Sequence, residues 1–387
     1  MKRLVRRVVV LLIAVLAVAG CVGLALLRSA ASQVAAPASQ SVPTNIDDAP
    51  IASVTERWRT SFPVEVVGLP SVDERGIVVT AGESQVIALS LTGDVQWTTA
   101  VAGALVNAVR LDRDLVFIAA KRAVVALHRE TGAVAWSVPT AVEGEEDDRA
   151  NEPVVVGDTV VVTTASGRAF GLDRATGGPR WTVDLPTAST SEPAAGGGVV
   201  VVVGIAQWLG LDPSSGATVW SGELGVYGTS SPVVYADGDR TLAAVASNEQ
   251  VLAVDVHTGQ PVWQARADQS EFFQVPTVTG DHELLVPDHW GRLEAFDAHS
   301  GSPIWQVRGP DAVAEFGAPA LVAPRLVAMA LDAHGPRIGG PNGSSAVVVP
   351  SSGHGVAVTP SGQLIVTTWY GTLNYVIAYD VEVGKGP

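Results

Sequence analysis

The chain has a single cysteine in 387 residues, Cys21. Disulfides and thiolate metal sites are therefore excluded from everything that follows it. Charged residues make up only 16% of the chain, and the basic kind is the scarcer. The first 28 residues hold five basic and no acidic side chains, so the remainder carries 19 basic against 39 acidic residues, a net charge of −20. Such a surface repels phosphate and anionic lipid, which argues against nucleic acid as a partner. No window sustains a 3.6-residue apolar period, so helical solenoids are not expected. The Gly-x-Ser-x-Gly elbow, the Walker loop and His-Glu-x-x-His are all missing, and with them the usual sequence signs of hydrolase, nucleotide and zinc-protease chemistry.

What is present first is an apolar N-terminus. Val8–Leu27 is 20 uncharged, mostly apolar residues, enough to cross a hydrocarbon core of about 30 Å. Lys2, Arg3, Arg6 and Arg7 precede it, and only Arg28 follows closely. The positive-inside rule then holds the N-terminus in the cytoplasm and sends the rest across the membrane. Residues 1–28 read as a single-pass transmembrane anchor or signal segment. Val18-Ala-Gly-Cys21 also fits a permissive lipobox, which makes lipidation at Cys21 an alternative, and a cleaved signal is a third. All three place the bulk of the chain on the extracytoplasmic side. Residues 29–52 are rich in Ala, Ser, Pro and Gln and read as a flexible linker.

The rest of the chain repeats one phrase. VIALSLTGDVQW (Val86–Trp97), VVALHRETGAVAW (Val124–Trp136), AFGLDRATGGPRW (Ala169–Trp181), WLGLDPSSGATVW (Trp208–Trp220), VLAVDVHTGQPVW (Val251–Trp263) and LEAFDAHSGSPIW (Leu293–Trp305) are its six copies. Each has a strand-like apolar run, usually an Asp, a Thr/Ser-Gly pair and a Trp. Gly supplies the positive φ of a tight turn, and the Asp (Asp173, Asp212, Asp255, Asp297) can accept hydrogen bonds from its amides. Trp58, Trp97, Trp136, Trp181, Trp220, Trp263 and Trp305 recur at spacings of 39, 39, 45, 39, 43 and 42. A period of roughly 40–45 residues suits a four-stranded propeller blade, with strands A to D and the Trp on D. These Trp residues read as packing elements.

After Trp305 the phrase blurs. Strands are expected at Ala318–Ala323, Arg325–Leu331 and Ala346–Pro350, with 335–345 as an inserted loop. His354–Thr359 is expected to replace a Trp strand, and Gln363–Thr368 and Asn374–Asp380 to follow as B-like and C-like strands. The last blade then lacks strand D while the N-terminus has one to spare. Trp58's strand is expected to pair beside Asn374–Asp380 and close the ring, which removes an exposed edge.

The Ala-x-Asp-x-x-Thr-Gly-x-x-x-Trp phrase resembles the PQQ-like (quinoprotein-type) β-propeller repeat over residues 53–380. The resemblance implies an all-β, eight-bladed propeller of four-stranded antiparallel blades, here at residues 53–387 and preceded by one N-terminal hydrophobic helix. It is shared by quinoprotein alcohol dehydrogenases and BamB-type outer-membrane-assembly lipoproteins. The former clamp their quinone with an adjacent cysteine pair and hold Ca²⁺ with acidic and amide ligands. That pair is absent here, and no residue matches the Asp base. Fold alone does not establish function. The expectation is a non-catalytic protein-binding scaffold without cofactor, with PQQ/Ca²⁺-dependent dehydrogenase or small-ligand sensor as alternatives.

If A to D are antiparallel neighbours, the D–A and B–C connections share one face, opposite the Thr/Ser-Gly turns. The candidate ligand or partner face is therefore Glu152, Glu192 and Gln274 from the D–A side, and Arg168, His289, Trp290, Arg292, Trp369 and Tyr370 from the B–C side. Trp290, Trp369 and Tyr370 are the stacking platform a sensor would use. The dehydrogenase alternative needs Glu152 and Glu192 to converge near the axis. Glu143–Asp148 with Glu152 offers carboxylates for Ca²⁺ but reads as a solvated loop. His257 and His299 occupy one repeat position and read as turn residues rather than a metal pair.

Overall fold

The computed structural model describes residues 51–383 except 68, 83, 103–108, 141–148, 190, 206, 225–229, 248–249, 267–274, 288–291, 309–319, 324–325, 330–336, 340–346, 349–354 and 371–372. The side chains of 51–52, 307–308, 320–323, 326–329, 337–339, 347–348, 369–370, 373 and 383 are likewise outside the description. The chain divides into two units, Met1–Gln40 and Ser41–Pro387, and only the second is described. Among the described residues no helix is long and apolar enough to cross a membrane. The expected N-terminal helix and Cys21 lie outside the described residues.

Six regular blades follow one another in the chain, at residues 71–100, 110–139, 154–184, 194–223, 233–266 and 277–308. We number them 1 to 6. In each, four strands pair in sequence order as antiparallel neighbours. Strands A of most successive blades touch one another and so line the inside. Strand B is almost wholly apolar and buried, as in Gly76–Ala81, Leu115–Ala120 and Val199–Val203, because neighbouring blades cover both of its faces. Strand D alternates exposed and buried positions along the outer edge, as in Val95–Ala100.

Most of the described apolar clusters lie between blades. One cluster joins Val78, Val86 and Ala88 of blade 1 to Val116, Ile118 and Leu127 of blade 2. Comparable clusters bridge blades 2 and 3, 3 and 4, 4 and 5, and 5 and 6.

The repeated phrase explains this contact. Each Asp caps its turn: Asp212 Oδ1 accepts from the amides of Ser214 and Ser215 at 2.9 Å, and Asp255 Oδ1 from those of His257 and Thr258 at 3.0 Å. The Trp of each blade lies opposite the small Ala or Gly of the phrase on its own strand C, as with Ala88↔Trp97 and Gly210↔Trp220. In blades 1 to 5 it then crosses to the next blade, whereas Trp305 Nε1 of blade 6 donates to Glu283 Oε2 of its own blade at 3.4 Å. Trp97 Nε1 donates to Arg129 O at 3.0 Å, Trp136 to Arg174 O at 3.0 Å, Trp181 to Pro213 O at 2.9 Å, Trp220 to Val256 O at 2.6 Å and Trp263 to Ala298 O at 2.9 Å. The ring lies against the turn glycine, whose missing side chain makes the room.

Ring closure is as expected. Strand Ile51–Phe62 pairs antiparallel with Leu373–Val383, Trp58 opposite Ala378, and completes a closing blade with Gly355–Val358 and Leu364–Tyr370. Trp58 Nε1 then donates to Leu91 O of blade 1 at 2.9 Å.

The expectation of an eight-bladed propeller requires correction: the chain forms seven full blades. They are blades 1–6 and the closing blade. Strands B to D of blades 1–6 run five to seven residues. The remaining four-stranded sheet, between blade 6 and the closing blade, has strands Ala320–Ala323, Leu326–Met329, Arg337–Gly339 and Val347–Val348. It is a reduced sheet rather than a full blade. Arg337–Gly339 falls inside the stretch expected to be a loop. Gly355–Val358 is the innermost strand of the closing blade, not a substitute Trp strand. With no Thr-Gly and Trp markers after residue 305, nothing local fixed the strand register there.

Candidate functional site

On the face of the D–A connections, three consecutive blades place charged side chains together. In each of blades 3 to 6 a proline directly precedes strand A, itself preceded by Glu152, Glu192, Ser231 or Val275: Glu152-Pro153, Glu192-Pro193, Ser231-Pro232 and Val275-Pro276. Proline favours an extended residue ahead of it, so these side chains occupy equivalent places on successive blades. Arg110 opens strand A of blade 2 (Arg110–Asp112). Its Nη2 meets Glu152 Oε1 at 2.7 Å, and its Nε donates to Pro153 O at 3.2 Å. The Glu192 amide donates to Ser231 Oγ at 3.1 Å, carrying the link on to blade 5.

Burial sets the electrostatics. The Glu152 side chain is only 8% exposed. Desolvation pushes its carboxyl up to about 7, Arg110 opposes the shift, and the neighbouring Glu192 reinforces it. Glu192 is raised for the same first reason, against Arg110. Arg110 thus pairs with Glu152 and acts at longer range on Glu192, at the entries to blades 2, 3 and 4. A neutral network flanks them: Asn151 Nδ2 donates to Thr163 Oγ1 at 2.9 Å and to Ser189 O at 3.3 Å, and Ser191 Oγ to Val203 O at 3.1 Å.

The structure brings Glu152 and Glu192 together and leaves other expected members apart. Arg168 is held by Asp184 of its own blade at 3.3 Å, with its guanidinium 6.0 Å from the Phe170 ring centre. Arg292 pairs with Glu294 of its own strand at 3.0 Å. Gln274, His289 and Trp290 lie outside the described residues. Trp369 and Tyr370 end the second strand of the closing blade, their side chains outside the description. Glu143–Asp148 also lies outside it. His257 Nε2 sits 2.9 Å from Gly197 O and His299 Nδ1 2.7 Å from Asp237 Oδ1, each reaching back to the preceding blade. They are blade-to-blade contacts made by turn residues, in different places.

Arg110 was not among the expected residues. Its signal is present in the aligned repeats: strands A of blades 1–6 open with Ser71, Arg110, Val154, Ala194, Val233 and Thr277, so Arg110 is the single charge at that position.

The described donors do not fit a quinone-bound Ca²⁺. The ion takes six to eight oxygens, whereas Glu152 is already paired with Arg110 and no group of three metal-ligating side chains occurs among the described residues.

Solved structures similar to the chain differ widely in role. BamB from Moraxella catarrhalis superposes with a TM-score of 0.68 at 18% identity, covering 85% of this chain and 100% of its own. The computationally designed Ika8 protein gives 0.68 at 13%, covering 84% and 100%. The quinohemoprotein alcohol dehydrogenase ADHIIG from Pseudomonas putida HK5 gives 0.68 at 13%, covering 86% and 77%. An assembly factor, a designed protein and an enzyme match equally well, so this likeness carries the fold and no activity. No curated protein matches the sequence significantly. A family model described as outer membrane protein assembly factor BamB does match, over residues 48–205 and 205–364. With most of the chain covered, in two successive matches that follow the blade repeats, the protein belongs to this BamB family of PQQ-like β-propellers.

Proposed function

We propose that the protein is an extracytoplasmic, non-catalytic scaffold that binds other proteins and serves the assembly of envelope proteins. The family match across residues 48–364 carries this reading. The chemistry of the described site agrees with it. A buried carboxylate paired with a guanidinium, with no group of three metal-ligating side chains among the described residues, suits recognition better than turnover. The N-terminal apolar segment is the membrane tether in this reading, as a single-pass anchor or through lipidation at Cys21. The acidic domain stands off from anionic headgroups on its linker.

The test is site-specific photo-crosslinking in intact cells. Probes at Arg168 and Arg292, near the B–C turns, are compared with probes at Thr176 and Thr258 in the Thr-Gly turns of the opposite face. A defined envelope partner captured from one face and not the other is the expected result. Failure of both faces, together with saturable tryptophan quenching of the purified protein by micromolar PQQ and Ca²⁺, would sink the scaffold reading in favour of a dehydrogenase.

A further inference from the structure

The D–A face holds its own example of a bound guanidinium. Arg110, first in strand A of blade 2, reaches the Glu152-Pro153 step that leads into blade 3. Its Nη2 lies 2.7 Å from Glu152 Oε1 and its Nε donates to Pro153 O at 3.2 Å. Carboxylate and carbonyl together accept from one edge of the planar fork, a geometry that a compact ammonium does not match.

The next blade repeats the receptor without the arginine. Glu152 stands two residues ahead of strand A in blade 3, and Glu192-Pro193 stands in the same place ahead of Ala194 in blade 4. The residue corresponding to Arg110 is then Val154, first in strand A of blade 3. Val154 is apolar and packs against the cluster between blades 3 and 4, so it brings no charge. Glu192 hydrogen-bonds through its amide, to Ser231 Oγ at 3.1 Å, while its carboxylate has no hydrogen-bond or ion-pair partner among the described residues. The residue is half-buried, hence partly desolvated and still within reach from the face. That desolvation raises its acidity constant, a shift that an incoming cation reverses. A divalent metal wants several more oxygens, and no group of three metal-ligating side chains occurs among the described residues.

We propose that Glu192 and Pro193 form a receptor for one arginine side chain of a protein partner, docked as Arg110 is docked on Glu152 and Pro153. The proposal rests on the scaffold reading and names what that scaffold recognises. The net charge of −20 beyond residue 28 draws basic segments to the domain. The partner's arginine then completes on blade 4 the pair that blade 3 makes from its own chain.

The full-length protein is titrated with the pentapeptide Gly-Gly-Arg-Gly-Gly and with its citrulline counterpart, which keeps the shape and loses the charge. Binding is followed by NMR of the Glu192 and Ser231 amides. The arginine peptide should bind about tenfold or more tightly than the citrulline peptide. Glu192→Gln should remove that preference. Val154→Arg should remove it too, because it supplies the guanidinium from blade 3, whereas Val154→Met should keep it. Equal binding of the two peptides to the wild type, or an arginine preference that survives in folded Glu192→Gln, would overturn the receptor. Photo-crosslinking from Arg168 reads the scaffold separately, and Glu192→Gln should capture less partner than the wild type. Equal capture by both would overturn the receptor and leave the scaffold standing. No capture from either face by a wild type that prefers the arginine peptide would overturn the scaffold and the protein occupant, and leave a guanidinium site.

Discussion

The contact that holds blade to blade predicts a large difference between two glycine substitutions that look alike in sequence. Gly157 and Gly259 both occupy turns with positive φ, +60° and +68°. Alanine in that left-handed region costs roughly 1–2 kcal/mol at either site, offset in part by about 0.4–1 kcal/mol of reduced unfolded-state freedom. There the likeness ends. A Cβ on Gly157 meets nothing within 4 Å, whereas one on Gly259 lies 2.6 Å from Cδ2 and Cε3 of Trp220. Trp220 comes from the preceding blade, is 8% exposed, and donates to Val256 O at 2.6 Å. Moving the ring forfeits that hydrogen bond, worth about 1 kcal/mol. It also forfeits part of the packing, since full truncation of a buried Trp costs about 3–5 kcal/mol. Gly157→Ala should therefore cost about 1 kcal/mol and Gly259→Ala about 3–4 kcal/mol. Urea unfolding of the full-length protein, followed by tryptophan fluorescence, measures both. Equal midpoints for the two variants would refute the argument that the turn glycine exists to admit the neighbour's indole.

Other expectations follow from the same contacts. Trp220→Phe keeps most of the ring but leaves Val256 O without its donor, and should cost about 1–2 kcal/mol in the same unfolding assay. Arg110→Met removes the guanidinium that opposes the upward shift of Glu152, so that carboxyl should titrate above about 7, followed by carboxyl NMR of the Glu152 side chain. Asp237 is held below the usual carboxylate range: burial raises it, and hydrogen bonds from His299 and Arg240 outweigh that. Its contribution is present above the ordinary Asp range and is lost as pH falls through the depressed value. Asp237→Asn should therefore lessen the acid sensitivity of the blade 5–blade 6 contact, read by exchange of residues 297–301 between pH 2 and 5. Purified protein with Ca²⁺ and micromolar PQQ should show no saturable tryptophan quenching, because Glu152 is committed to Arg110.

Much of this protein follows from its sequence alone. The Thr/Ser-Gly and Trp phrase is a local chemical requirement, a glycine that the turn's positive φ and an indole's approach both demand and an Asp that caps the turn beside it. Its recurrence gave the blades, their strand order and the pairing of Trp58's strand with Asn374–Asp380. Where the phrase stops, most strands are still legible, at 320–323, 326–329, 347–348, 364–370 and 373–383, but two are not. Arg337–Gly339 looks like loop because Gly and Pro surround it, and Gly355–Val358 lost its place because no Trp marked the blade before it. Glu152 and Glu192 were legible as paired positions ahead of proline. The partner of Glu152 was not, because Arg110 lies 42 residues upstream of it and only the stacking of blade 2 on blade 3 brings it within 2.7 Å. Sequence decides which side chains each blade offers to the inner face. Tertiary structure decides which of them share a desolvated space, and therefore which charges must be balanced.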